Sequence, residues 1–325
     1  MKQKNAIFVI SSPLQALCAL EAYEHYKIDK CIFYILDDGR VNQVVKYLKD
    51  KNFDYIIYDK KITFISLLKC LIYYFLPFEK KNYDFLFLGN VYMLKQILLF
   101  LPNLRRKARI VYLDDGNNIL GYVNKKLPLS RQVLTNIICI FTFVKQIKIN
   151  IIFSIFADEL KTTKYSIEKN SLNILKSKKQ KCGDYVYIIG TYIDDFCIDF
   201  NISRSVFLEK LKVLFSLIQY RYPQKKIIYV PHGREPLNND LIQLCSDSGV
   251  EFLKLDECIE IYLTKLERTP VAILGFGSTA LFSLRKIYSK IPIINVFLND
   301  SKMVLDDYRV VYETYLNVNI EMLKI

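Results

Sequence analysis

Ala6-Ile7-Phe8-Val9-Ile10-Ser11-Ser12-Pro13-Leu14-Gln15 is the stretch on which the fold reading turns. Five apolar residues in a row suit a strand covered on both faces, as in a parallel sheet. Two hydroxyl residues and a proline follow. Ser12 fits an N-cap, whose side chain satisfies an orphan backbone N–H, and Pro13 fits the first helical position, where a missing N–H costs nothing. The helix so opened is predicted to run to about Tyr26. A buried strand passing directly into a capped helix is the first half of a βαβ unit.

The same alternation extends outward. Strands are predicted at Cys31–Leu36, Tyr55–Tyr58, Phe85–Leu88 and Ile110–Leu113, with helices at Val41–Lys51 and Val91–Phe100. Residues 1–125 thus form one Rossmann-like domain. Residues 126–182 lose the alternation, turn rich in Lys and Asn, and are expected to be an irregular linker region ending in the hydrophilic stretch Asn170–Gly183. Alternation resumes over 183–301. Strands are predicted at Tyr185–Ile189, Lys226–Val230, Glu251–Lys254, Val271–Leu274 and Ile291–Val296. Helices are predicted at Arg204–Tyr220, Pro236–Asp247, Ile259–Leu266 and Thr279–Tyr288. This is a second Rossmann-like domain, and the amphipathic tail 302–325 is predicted to pack back on the first. The fold class is therefore α/β, two Rossmann-like domains facing a cleft, with ligands expected at the C-terminal ends of the strands.

Composition narrows the class. The 325 residues are 52% hydrophobic and 24% charged, enough apolar material for two cores and too much for disorder. The net charge is +13, from 46 Lys and Arg against 33 Asp and Glu. That balance favours anionic partners. Nucleic acid is not expected, because no binding motif organises the charge and the Tyr and Phe residues fall in apolar runs. The 8 cysteines form no C-x-x-C pair and the 2 histidines are not spaced to join one, so no zinc site and no other metal is predicted. Without a signal peptide, a reducing cytoplasm is the expected location. Two apolar stretches, Ile62–Leu76 and Val133–Ala157, are short or cut by Lys, which disfavours a span. They read either as buried core or as peripheral contact with the anionic inner face of the cell membrane.

Chemistry is sought just beyond strand ends. Asp114-Asp115-Gly116 follows Ile110–Leu113, and paired carboxylates repel, so one can hold a proton affinity suited to a general base. The same triplet at Asp37-Asp38-Gly39 shows that such a sequence also serves as an ordinary turn. His232 follows Lys226–Val230 within Tyr229-Val230-Pro231-His232-Gly233-Arg234-Glu235. There it can reach a phosphate or cap a carbonyl. His25, on the first helix, reads as a surface residue. Gly275-Phe276-Gly277-Ser278-Thr279 links a strand to a helix, and free N–H groups with hydroxyls at a helix start bind anions. Glu260, near the start of the preceding helix, can accept from ribose hydroxyls or simply favour the helix dipole.

Taken together, the acidic-acidic-Gly triplet, the strand-end His, the Glu and the Ser-Thr pair resemble the bacterial sialyltransferases of glycosyltransferase family 52. The related polysialyltransferases share the pattern, and Ser11-Ser12-Pro13-Leu14-Gln15 is similar to the family's opening. The resemblance implies a GT-B fold and metal-independent, cofactor-free, inverting transfer of sialic acid from a CMP-sialic acid donor to a glycan acceptor of lipooligosaccharide or capsule. It implies Asp114 as general base, with Asp115 and Gly116 beside it at the substrate. It further implies His232 at the CMP phosphate, Ser278 and Thr279 binding that phosphate, Glu260 at the ribose, and Gly190 with Thr191 on the cytosine side. Arg234 is the obvious basic phosphate ligand. Gly233 stands where the family often has Pro, and Thr279 replaces a second Ser. Two other readings remain: the same fold with another donor, CMP-Kdo or a UDP-sugar, and a non-catalytic partner of a membrane assembly.

Overall fold

Phe8 explains why the opening strand is central. A computed structural model describes residues 3–58, 83–91, 93–122, 129–144, 146–162, 164–175, 181–298 and 306–325. In it Phe8 lies in register with Phe33 on one neighbouring strand and Phe87 on the other. The rings stack at centroid distances of 4.7 and 4.4 Å. Offset aromatic pairs add to the burial gained across adjacent strands.

The chain divides into two compact units, Met1–Asn173 and Ile174–Ile325. In the first, β1 (Asn5–Ile10), β2 (Lys30–Leu36), β3 (Tyr55–Tyr58), β4 (Tyr83–Leu88), β5 (Leu104–Tyr112), β6 (Lys148–Ser154) and β7 (Ser166–Lys169) form one sheet. Its order is β3-β2-β1-β4-β5-β6-β7 and every pairing is parallel. The helix Pro13–Tyr26 starts as its sequence predicts, with the Ser12 side chain accepting from the backbone N–H of Gln15. It stops at Lys27, whose φ of 53° is left-handed.

In the second unit, β8 (Lys181–Cys182) pairs with β12 (Arg268–Thr269) as a small ribbon. The main sheet comprises β9 (Tyr185–Ile189), β10 (Lys226–Val230), β11 (Glu251–Phe252), β13 (Ala272–Gly275), β14 (Ile293–Phe297) and β15 (Glu321–Lys324). Its order, β11-β10-β9-β13-β14-β15, repeats the winding of the first six strands of the first sheet. That winding is the Rossmann order, and it reverses between β1 and β4 in one sheet and between β9 and β13 in the other. Loops leaving strands at a reversal diverge to opposite faces and leave a crevice.

Two expectations about organisation change. The stretch read as a linker supplies the helix Leu129–Val144 and strands β6 and β7 of the first sheet. In β6, Lys-Ile-Asn-Ile-Ile-Phe-Ser, Ile151, Ile152 and Phe153 are buried. The polar residues at its start disguise a core strand. The tail completes the second sheet, because β15 pairs in parallel with β14. The helix before it, Asp306–Asn317, buries Tyr315, whose hydroxyl donates to the Ser278 carbonyl at 2.7 Å. Several boundaries shift inward: the helix predicted from Pro236 begins at Asn239, where the Asn238 side chain accepts from the N–H of Asp240. Ile62–Leu76 lies outside the described residues. His25 is exposed, as the sequence suggests, with its Nε2 3.6 Å from Glu168 and its ring 5.0 Å from that of Phe153.

Candidate functional site

The two carboxylates beyond β5 differ in their surroundings. Asp114 goes inward and is 0% exposed. Its Oδ1 accepts from Ser154 Oγ, and its Oδ2 accepts from the Ile155 N–H at 2.7 Å. Cys18 Sγ lies 3.9 Å from the same Oδ2. Burial raises its pKa to about 7, against those hydrogen bonds, which favour the charged form. Asp114 thus ties the ends of β5 and β6 to the first helix. So enclosed, it does not fit the general-base role expected of it.

Asp115 is partly exposed. Gln15 Nε2 donates to its Oδ1 at 2.5 Å. Gln15 is itself 0% exposed, and its Oε1 accepts from the Ser11 N–H at 2.7 Å. The amide therefore spans the reversal of the sheet, from the end of β1 to the end of β5. Gly89, just after β4, makes room for it: a Cβ there would lie 2.0 Å from Gln15 Oε1. Burial raises the Asp115 pKa to about 6, while the Gln15 hydrogen bond and the charge of Arg40 hold it lower than burial alone would. Arg40 is placed by the other acidic triplet. Asp38 Oδ2 pairs with its guanidinium at 2.6 Å, and Asp37 Oδ1 accepts from the Gly39 N–H at 2.8 Å. That triplet is a turn that positions a cation. Gly116, with φ of 75°, allows the chain to turn after Asp115.

In the second unit, the loop after β10 carries His232. Its Nδ1 accepts from the Arg234 N–H at 3.3 Å, so the neutral ring carries its hydrogen on Nε2. Three backbone carbonyls of this loop converge on one ammonium: Lys254 Nζ donates to His232 O at 3.1 Å, Gly233 O at 3.2 Å and Glu235 O at 2.5 Å. Burial lowers the Lys254 pKa. Glu235, 2% exposed, anchors the other side. Its carboxylate accepts from the Ile193 N–H at 2.9 Å and from Arg204 at 3.0 Å. Arg234 is exposed. Its guanidinium pairs with Asp195 at 3.3 Å and lies 4.8 Å from the Tyr192 ring centre. At the end of β9, Gly190 permits a close approach, since a Cβ would lie 2.4 Å from the Tyr229 hydroxyl. Thr191 follows it, partly exposed.

The loop after β13 turns tightly into the helix that follows it. Gly277 has φ of 59° and its N–H donates to Asn295 Oδ1 at 2.7 Å. Ser278 caps the helix Thr279–Ile287, its Oγ accepting from the Ala280 N–H at 3.3 Å. Ser278 and Thr279 are both partly exposed. Glu260 is 3% exposed, its Oε1 accepts from Ser283 Oγ at 2.6 Å, and burial raises its pKa. Among the described residues, no group of three His, Cys, Asp or Glu is arranged to hold a metal.

Two parallel sheets with one winding decide the architecture. The chain has a GT-B fold. The crystal structure of MurG from Acinetobacter baumannii is similar, with a TM-score of 0.50 at 10% identity over 99% of this chain and 86% of that one. The glycotransferase of kitacinnamycin gives 0.49 at 10% identity over 100% and 86%. A UDP-GlcNAc 2-epimerase from Neisseria meningitidis, solved with UDP-GlcNAc, gives 0.47 at 14% identity over 98% and 94%. No family model and no curated protein matches the sequence.

Sequence reasoning missed Gln15 as the partner of Asp115, and with it the contacts of Gly89, Ser154, Glu235, Lys254 and Asn295. Gly89 carried a usable signal, a glycine directly after a buried strand. Lys254 carried none, since its role depends on a fold contact 22 residues back along the chain.

Proposed function

We propose that the protein is a glycosyltransferase that moves sialic acid from CMP-sialic acid to a glycan acceptor, with Asp115 as general base. The observation that carries this reading is the contrast between the two carboxylates: Asp114 sealed at 0% exposure, Asp115 partly exposed with a pKa near 6 and fixed by Gln15. A base that is ionised at neutral pH yet not strongly acidic suits proton abstraction from a hydroxyl. In the proposed step Asp115 takes the acceptor proton as that oxygen bonds to the anomeric carbon. The bond from that carbon to the phosphate oxygen breaks with inversion. CMP leaves with its charge met by Ser278, Thr279 and the N–H groups of their helix start, and by His232 Nε2–H. Gly190 and Thr191 are assigned to the cytosine side; Glu260, enclosed and bonded to Ser283, is not assigned to the ribose.

The second unit's cations favour a monophosphate leaving group over a diphosphate. Arg234 is paired with Asp195, and Lys254 is committed to three carbonyls. What those loops offer is hydroxyls and backbone donors, adequate for one phosphate. The test is incubation with CMP-sialic acid, CMP-Kdo and UDP-sugars, each with galactoside and sialoside acceptors, with and without EDTA. The reading expects a sialylated product only from CMP-sialic acid, undiminished by chelator. Turnover of a UDP-sugar instead would overturn the donor assignment.

A further inference from the structure

The helix Leu129–Val144 packs on the helix Leu94–Phe100, with Ile138 and Thr142 buried on its inner side. Its outer side presents Gln132, Asn136, Cys139, Ile140 and Phe143, all exposed. The polar residues lie toward its start and the apolar ones gather at its end, where Ile140 is 65% and Phe143 84% exposed. Exposed Lys148 follows directly at the start of β6. The surrounding sequence is one-sided in charge. From Asn117 to Ala157 there is no Asp or Glu, whereas Lys125, Lys126, Arg131, Lys145 and Lys148 are all cationic.

We propose that this helix end docks the first domain on an anionic lipid bilayer surface. Apolar side chains that enter the acyl boundary beside lysines drawn to acidic headgroups combine the two terms of interfacial binding. At 16 residues the helix is shorter than the roughly 20 needed to span, so it lies at the interface. The charge argument selects this occupant over a second copy of the chain, which would bring the same cationic segment against itself. The arrangement also leaves the chemistry free. Phe143 sits near the N-terminal edge of the sheet, beside the start of β6, while Asp115 lies beyond the C-terminal end of β5. The inference is independent of the donor and acceptor.

Vesicle flotation of the full chain tests it, using phosphatidylcholine alone and phosphatidylcholine mixed with phosphatidylglycerol. Binding is expected to the mixed vesicles only and to fall steeply with added salt. The pair Ile140→Ser with Phe143→Ser should weaken it by roughly tenfold or more. Lys145→Glu with Lys148→Glu should do the same at low salt. Ile140, Phe143 and Lys148 are exposed, and unaltered melting curves verify the fold of both pairs. Failure to float with anionic vesicles, or flotation indifferent to both pairs, overturns the proposal. So does a dimer in sedimentation that the serine pair dissolves, which would assign the face to self-association.

Discussion

Gln15 Nε2 donates to Asp115 Oδ1 at 2.5 Å, joining two residues 100 positions apart across the point where the first sheet reverses its strand order. The amide is buried and its carbonyl oxygen is held by the Ser11 N–H, so its orientation is fixed before any substrate arrives. A pre-aimed base needs no reorganisation during proton transfer.

Gly89→Ala should therefore act at a distance. The added Cβ would meet Gln15 Oε1 at 2.0 Å and expel the amide from its seat. We expect a loss of about 10- to 100-fold in kcat, since misplacing a catalytic group by an ångström has that scale. The overpacking should cost about 1–3 kcal/mol in stability. Gln15→Ala, which removes the clashing atom, should restore stability to the double variant but not activity. A double variant as active as the parent would show that Gln15 does not position Asp115.

The two aspartates should separate cleanly under substitution. Asp115→Asn is expected to lower kcat by about 10²-fold or more while leaving the melting temperature near that of the parent. Asp114→Ala strands the Ile155 N–H and the Ser154 hydroxyl in the interior. The expected cost is roughly 2–4 kcal/mol of stability. Denaturant melts beside initial rates decide between them; equal stability losses would remove the distinction.

The pH dependence follows from the same pair. Both carboxyls are raised above the ordinary aspartate value of 3.8, to about 7 for Asp114 and about 6 for Asp115. The native state therefore holds protons that the unfolded chain releases. Their contribution to stability is complete below about pH 4 and is lost as pH rises through 6 and 7. Unfolding free energy measured from pH 4 to 8 should decline on account of these groups, and the decline should shrink in Asp114→Asn. Activity should run the opposite way, rising with pH as Asp115 ionises near 6 and then levelling.

Lys254→Met should loosen the His232 loop, whose three carbonyls lose their shared donor. We expect donor affinity to fall about tenfold, with a smaller effect on kcat, because the loop is assigned to the leaving phosphate. Calorimetric titration with CMP checks this. Unchanged CMP affinity would remove Lys254 from the positioning of that loop.

What the sequence made legible, and what it hid, follows from the range of each interaction. The Ser12-Pro13 start was readable because a cap is decided within four residues. Both Rossmann-like alternations were readable for a similar reason, as each strand is a short apolar run. β6 was not, since Lys148 and Asn150 interrupt its apolar pattern and only a place inside the sheet explains Ile151 to Phe153. The tail strand was hidden likewise, because Glu321–Lys324 is a strand only through pairing with β14. In the site, the positions of the acidic triplet, His232 and Ser278 at strand ends could be read directly. Which aspartate faces inward could not, because that depends on Ser154 and Ile155, some 40 residues further on.

Transfer from CMP-sialic acid, followed by product formation in the parent and in Asp115→Asn side by side, addresses the central claim most directly. The account predicts a sialylated acceptor from the parent, a loss of about 10²-fold or more in the variant, and CMP binding equal in both. A variant as fast as the parent, or a parent that binds CMP yet transfers nothing to any acceptor, would contradict it.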